Sequence, residues 1–219
     1  MDISKQHMLL FLFLKSHINH KVLIMKTTIK ALATTAFLIT AGTGASFAAD
    51  AYEFDASHSQ IIFSYNHLGF STTYGMFSGF DGKAMLDMDD ISKSSVSLEI
   101  NVGDLLMTGW EGRDGHFKSA DFFNVENFPI ATFTSTSVEP TGEKTAKITG
   151  DLTILDQTKS IVLDAKLNQV GKHPQSQKDW AGFDACVTLI RSDFNLGKFA
   201  PFVSDEVDVK ISVEMGKAE

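Results

Sequence analysis

The chain has 219 residues with 27 acidic and 19 basic side chains, a formal net charge of −8. Residues 1–48 hold five lysines and one acid, so the remainder carries 14 basic against 26 acidic groups, a net charge of −12. That field repels phosphate backbones, and no basic stripe offsets it, which argues against nucleic acid as a partner and against docking on an anionic membrane surface.

From Met25 the chain reads Met-Lys-Thr-Thr-Ile-Lys, then an apolar Ala31–Ala41 segment, then Ser46-Phe47-Ala48. A basic start, a short apolar run and a small-x-small site predict a secretory signal cut after Ala48. The apolar run falls short of the about 20 residues a membrane span needs, and no later stretch supplies one. Residues 1–24 precede this signal awkwardly, so Met25 is the expected start. Residues 49–219 are then one exported domain, large enough to bury about 68–70% of its unfolded surface without staples. No internal disulfide is available, because Cys186 is alone.

Beyond the cleavage site the hydrophobic pattern has period two, broken by turn residues at short intervals. Ser59, Ile61, Phe63, Tyr65 and His67 share one face of a first strand, and Leu68-Gly69-Phe70-Ser71 leaves it. Gly75 to Phe80 forms the next, with Phe77 inward, Gly79 at a bend and Asp81-Gly82 as turn. Lys83 to Met88 continues after the kink. The alternation is cleanest in Val96, Leu98, Ile100 and Val102.

Arg113 to Phe123 interrupts this pattern with two acids, two bases, His116 and three phenylalanines. Ser119 suits an N-cap and Asp121 a first helical turn, so a short helix near 119–124 is expected. Extended chain resumes after Pro129 and includes Phe133. Ala146 to Leu155 and Ser160 to Leu167 read as a hairpin joined through Asp156-Gln157-Thr158-Lys159. Residues 171–179 form an exposed polar excursion. Phe183, Ala185, Val187 and Leu189 alternate next, and Val207, Val209, Ile211, Val213 and Met215 make the last strand. The fold class is all-β: about eight antiparallel strands, each with one apolar face, closing as a barrel or stacking as two sheets. The 14 phenylalanines after residue 48 suit either a plain core or the wall of a narrow ligand cavity.

Little chemistry of reaction is visible. There is no Gly-x-Ser-x-Gly elbow, phosphate loop or dinucleotide fingerprint, and Cys186 sits mid-strand among apolar neighbours, where an inert core thiol is expected. His58, His67 and His116 with Asp114 could converge on a metal. However, nine residues of strand separate the first two histidines by about 30 Å, and no metal site is assigned. Arg113-Asp114 and Arg191-Ser192-Asp193 each set a base beside an acid. Such pairs either pin a barrel rim or leave an arginine to grip a ligand head.

Several motifs occur in order: Asp55-Ala56-Ser57-His58-Ser59; His67-x-Gly69-x-Ser71; Gly75-x-Phe77; Arg113-Asp114-x-His116-x-x-Ser119-x-Asp121-Phe122-Phe123; Gly150-x-Leu152-Thr153-Ile154; and Arg191-Ser192-Asp193-Phe194. Over about residues 52–214 the chain resembles the YceI-like, polyisoprenoid-binding periplasmic proteins. The resemblance implies an eight-stranded lipocalin-like β-barrel whose apolar tunnel holds an isoprenoid or similar long-chain amphiphile, such as a polyprenyl phosphate or an isoprenoid quinone. It also implies a periplasmic, non-enzymatic carrier with no cofactor beyond that lipid. Parity then places Phe63, Phe77, Leu98, Phe133 and Val209 on the tunnel wall, and motif position places His67, Arg113, Asp114, His116 and Arg191 at the rim. A quinone-linked redox role or an envelope-stress accessory role is the alternative, and a homodimer is left open. Asp156 and Asn195 stand where the family usually has glycine, and both residue types tolerate tight turns.

Overall fold

In the computed structural model, residues 49–219 are described; the expected signal segment 1–48, with its start at Met25 and its cut after Ala48, lies outside the described residues. The strands are β1 (Asp50–Phe54), β2 (Gln60–His67), β3 (Ser71–Ser78), β4 (Asp81–Leu86), β5 (Ser95–Asn101), β6 (Leu106–Met107), β7 (Ile130–Pro140), β8 (Thr145–Ile154), β9 (Gln157–Lys172), β10 (Asp179–Ile190) and β11 (Glu206–Lys217). All pairings are antiparallel, in the order β1-β4-β5-β7-β8-β9-β10-β11, and β11 returns to β1. This closes an eight-stranded barrel.

β2 and β3 extend two of these staves. β11 pairs with β1 through Met215–Lys217 and with β2 through Asp208–Ser212, so β1 and β2 are halves of one bent stave. The bend is a 3₁₀ turn at Ala56–His58, where Asp55 Oδ1 accepts from Ser57 N–H at 2.9 Å, satisfying an amide the ladder has lost. The matching break between β3 and β4 falls at Gly79, whose φ of 80° suits a residue without Cβ.

Alternation does what a closed wall requires: β11 turns Val207, Val209, Ile211, Val213 and Met215 inward, and β10 turns in Phe183, Ala185, Val187 and Leu189. Cys186 lies between two of these and is therefore exposed on the outer face, not in a core as its neighbours suggested.

Three local readings differ from the sequence expectation. The β8–β9 hairpin turns on two residues, Leu155 and Asp156, not four, with Leu155 at φ 56°; Thr158 and Lys159 already pair with Thr153 and Leu152. β9 runs on to Lys172, which shortens the polar excursion to 173–178. The short helix is α2 (Glu111–Lys118), preceded by α1 (Val102–Leu105), and not 119–124. Trp110 starts this helix without a side-chain cap, and Ser119 is its C-cap, its Oγ donating to His116 O at 2.7 Å and so satisfying one of the last-turn carbonyls.

The segment from α1 to Pro129 leaves the wall between β5 and β7 and folds over one barrel end. Val102 N–H donates to Pro129 O at 2.9 Å and closes its base, while β6 pairs with Met76 and Phe77 of β3. Among the described residues no helix is long and apolar enough to cross a membrane.

Candidate functional site

Inside the barrel lies a cavity of about 980 Å³, lined almost wholly by apolar side chains. Its wall follows β11 from Val207 to Met215, nine residues or about 26 Å of strand. At a usual tilt of 35–45° that is a tunnel about 20 Å deep. Residues Phe63, Phe77, Leu98, Phe133 and Val209 all face it, as parity required.

One wall is aromatic. Phe63 lies 5.7 Å from Phe77 and 6.3 Å from Phe117 between ring centroids, and Phe77 meets Phe123 edge-on at 6.1 Å. Helix α2 and the turns after it supply Phe117, Phe122 and Phe123 to this wall, with Phe117 and Phe122 5.3 Å apart. Such pairs stabilise beyond their buried area and hold the rings as a fixed surface instead of letting them collapse into the void.

The rim residues separate into different roles. His67 is exposed at the end of β2, lines the mouth, and bridges through its backbone to Val203. His116 lines the mouth from α2, its ring edge-on to Phe122 with centroids 5.0 Å apart and its Nε2 3.6 Å from Asp121 Oδ2. Arg113, half-buried on the same helix, also lines it; no side-chain hydrogen bond or ion pair holds its guanidinium among the described residues.

Asp114 does not reach the cavity. Its Oδ1 accepts from Thr108 N–H at 2.8 Å and Thr108 Oγ1–H at 2.5 Å, tying α2 to the turn before it. Arg191 borders the cavity but is committed to the chain. Nε donates to Ser204 O at 2.8 Å, Nη1 to Leu196 O and to Lys198 O, and Nη2 to Val203 O at 2.8 Å. Four of its five donors thus clasp the 191–205 loop. Burial also pushes this guanidinium's pKa down from its ordinary value.

Portal residues without an earlier signal come from the 102–129 and 191–205 segments: Trp110, Phe199 and Val203 line the mouth. Asp121, expected at a helix start, instead bridges them. It pairs with Lys198, which holds its carboxyl below the usual range, with His116 adding to the effect. Nothing in the local sequence marks Lys198 as its partner.

His67, His116 and Asp114 do not converge on a metal position. Among the described residues Asp55, His58 and Glu214 offer ligand atoms within 4.8 Å of one another, at the end away from this mouth. Internal bonds already occupy them: His58 Nδ1 to Asp55 Oδ2 at 2.7 Å, and Trp180 Nε1–H to Glu214 Oε2 at 2.9 Å.

The family model described as YceI-like domain matches residues 52–215. A UPF0312 protein of Ectopseudomonas mendocina (strain ymp) is 41% identical over 172 residues, covering 78% of this chain and 89% of its own. Among solved structures, the Campylobacter jejuni YCEI protein superposes with a TM-score of 0.64 at 29% identity, covering 70% of this chain and 90% of that one. A polyisoprenoid binding domain from Saccharophagus degradans, implicated in plant cell wall breakdown, shares the fold at a TM-score of 0.60 and 15% identity, covering 77% and 99%. Because the family model spans nearly all of the described residues and the closed barrel is shared with the solved structures, the chain belongs to the YceI-like domain family.

Proposed function

We propose that this protein is a non-enzymatic periplasmic carrier, holding one isoprenoid or similar long-chain amphiphile tail-inward in the barrel. The single observation that carries this is the apolar tunnel of about 980 Å³, open at an end where His67, Arg113 and His116 stand. The polyisoprenoid-binding Saccharophagus degradans domain of the same fold supports the choice of tail.

The physics assigns affinity to the tail and selection to the mouth. Burying ten methylenes stabilises a complex by about 8 kcal/mol before ordering costs, so the head need only be discriminated. Arg113 is the residue for that task, because an unpartnered guanidinium beside the mouth can give an anionic or carbonyl-bearing head two parallel N–H donors. His67 and His116 add donors or acceptors according to their protonation.

Displacement of an environment-sensitive fatty probe by a chain-length series of polyprenyl phosphates and isoprenoid quinones tests the reading. Affinity is expected to rise with each isoprene unit until the tunnel is full and then level off. A flat response to chain length, or no displacement at all, contradicts it.

A further inference from the structure

The exposed aromatic side chains are not spread evenly over this protein. Among the described residues five are exposed, and four of them lie at the portal end: Phe70 at 90%, Phe202 at 76%, Trp110 at 66% and Phe199 at 51%; the fifth, Tyr74, stands on the outer face of β3 opposite Ser64. Phe70 tips the β2–β3 turn, and Phe199 and Phe202 tip the loop after β10. The two loops are joined, Leu68 N–H donating to Phe202 O at 3.2 Å and Ser204 N–H to Asn66 O at 3.0 Å. Trp110 stands at the start of α2, also on the mouth.

We infer that this aromatic ring is a docking surface for a lipid bilayer, which seats the open tunnel against the membrane so that an amphiphile's tail passes between them without crossing water. The inference deepens the carrier reading and rests on it.

Charge distribution points the same way. Residues 49–219 carry a net charge of −12, yet residues 66–80 and 194–204 contain no acid; Lys198 in the second stretch is paired with Asp121, and Glu111 follows Trp110. Arg113 adds a cation with no acidic partner. The two loop tips that bear Phe70, Phe199 and Phe202 are therefore free of the acids that dominate the rest of the chain, although the whole molecule's field opposes approach to anionic headgroups. The composition of the ring is that of a membrane-interface belt, with an amphipathic Trp beside phenylalanine. Rings standing this far into solvent around an apolar opening are unfavourable unless something covers them. A bilayer covers the rings and the tunnel mouth in one contact.

The test uses Trp110 as its own reporter, since Trp180 is the one other tryptophan in the chain and lies at the opposite end. A Trp180→Phe protein is titrated with vesicles of phosphatidylethanolamine and phosphatidylglycerol, the latter the minor lipid, with brominated acyl chains. Trp110 fluorescence is expected to be quenched. Co-sedimentation of protein that keeps both tryptophans is the second measurement. Phe70→Ser with Phe202→Ser is expected to lower partitioning about tenfold or more, taking half of full phenylalanine burial for each ring. Met85→Ser with Met88→Ser, exposed at the far end, is expected to leave it unchanged.

Unquenched Trp110, or equal partitioning of the two double variants, overturns the proposal. So does a concentration-dependent dimer that shields Trp110 and is lost with Phe70 and Phe202, which assigns the ring to a second copy. Lipid content separates this from the carrier reading. A phenylalanine variant that keeps its extracted amphiphile but no longer docks supports both, whereas wild-type protein that docks yet never holds an amphiphile sinks the carrier reading alone.

Discussion

Arg113 and Arg191 carry the same local signature, a base followed by an acid, but the structure gives them opposite work, and truncating each separates the two. Arg191→Met removes donors from four carbonyls of the 191–205 loop. The loop is at the surface, so water can satisfy about half of them; two orphaned carbonyls at about 1–3 kcal/mol each give a loss near 4 kcal/mol. For a domain of this size that lowers Tm by roughly 8–16 °C, since each kcal/mol shifts it by about 2–4 °C. Arg113→Ala removes a half-buried side chain with no partner, so stability stays within about 0.5 kcal/mol. Probe affinity for an anionic-headed ligand falls instead, by about tenfold if one charge-assisted contact of about 1.5 kcal/mol is lost. Thermal unfolding and displacement titration on both variants read the two effects independently. An Arg191→Met protein of native stability with weakened ligand binding refutes the reasoning, because Arg191 is then free to grip the head.

Gly75 pairs with Phe63 across β2 and β3, and a Cβ there would fall within the Phe63 ring. Gly75→Val is expected to drive that ring into the tunnel, costing about 1–3 kcal/mol of stability and weakening long-tailed ligands most; a loss of stability with unchanged tail affinity argues against a tunnel in that position. The Asp55–His58 pair should give a pH-dependent stability increment. Hydrogen bonds from Ser57 and His58 lower the Asp55 pKa, so its contribution is present above about pH 4 and lost as pH falls through the lowered value. The Asp55 carboxylate raises that of His58, whose contribution is full below about pH 6.5 and lost as pH rises through the raised value. The Tm difference between wild type and His58→Gln should therefore peak between about pH 4 and 6.5, and a difference that grows above pH 8 contradicts the pairing. Cys186, on the outer face of β10, should be alkylated by a maleimide in native buffer about as fast as in urea; protection until unfolding would restore the buried reading.

Strand alternation was legible because a closed barrel demands it: β11 and β10 could be assigned inward residues one by one, and every wall residue taken from parity faces the cavity. The same logic misplaced Cys186 only where neighbouring apolar residues outweighed strict alternation. Alternation is equally consistent with a packed core and a hollow one, so the tunnel itself depends on which rings stack against each other near Phe63, Phe77 and Phe117. The helix was displaced because Ser119 has N-cap chemistry, while the true start, Trp110, carries none. The rim was half legible for a related reason. Asp114 finds Thr108 six residues back and Arg191 finds a loop curling over it, contacts fixed by chain path and not by motif. The two positions that depart from the family's glycines illustrate this further, for Asn195 takes φ 61° and its Nδ2 donates to Asp156 Oδ1 at 3.3 Å across two turns.

The central claim is that the tunnel is built to hold a long apolar tail. Protein purified without detergent from its native host and sprayed intact in a native mass spectrometer tests it most directly. The account predicts a mass increment equal to one long-chain isoprenoid or comparable amphiphile, released on organic extraction and less abundant in Gly75→Val, whose Phe63 ring is driven into the tunnel. An unladen mass that stays unladen after incubation with such amphiphiles contradicts it.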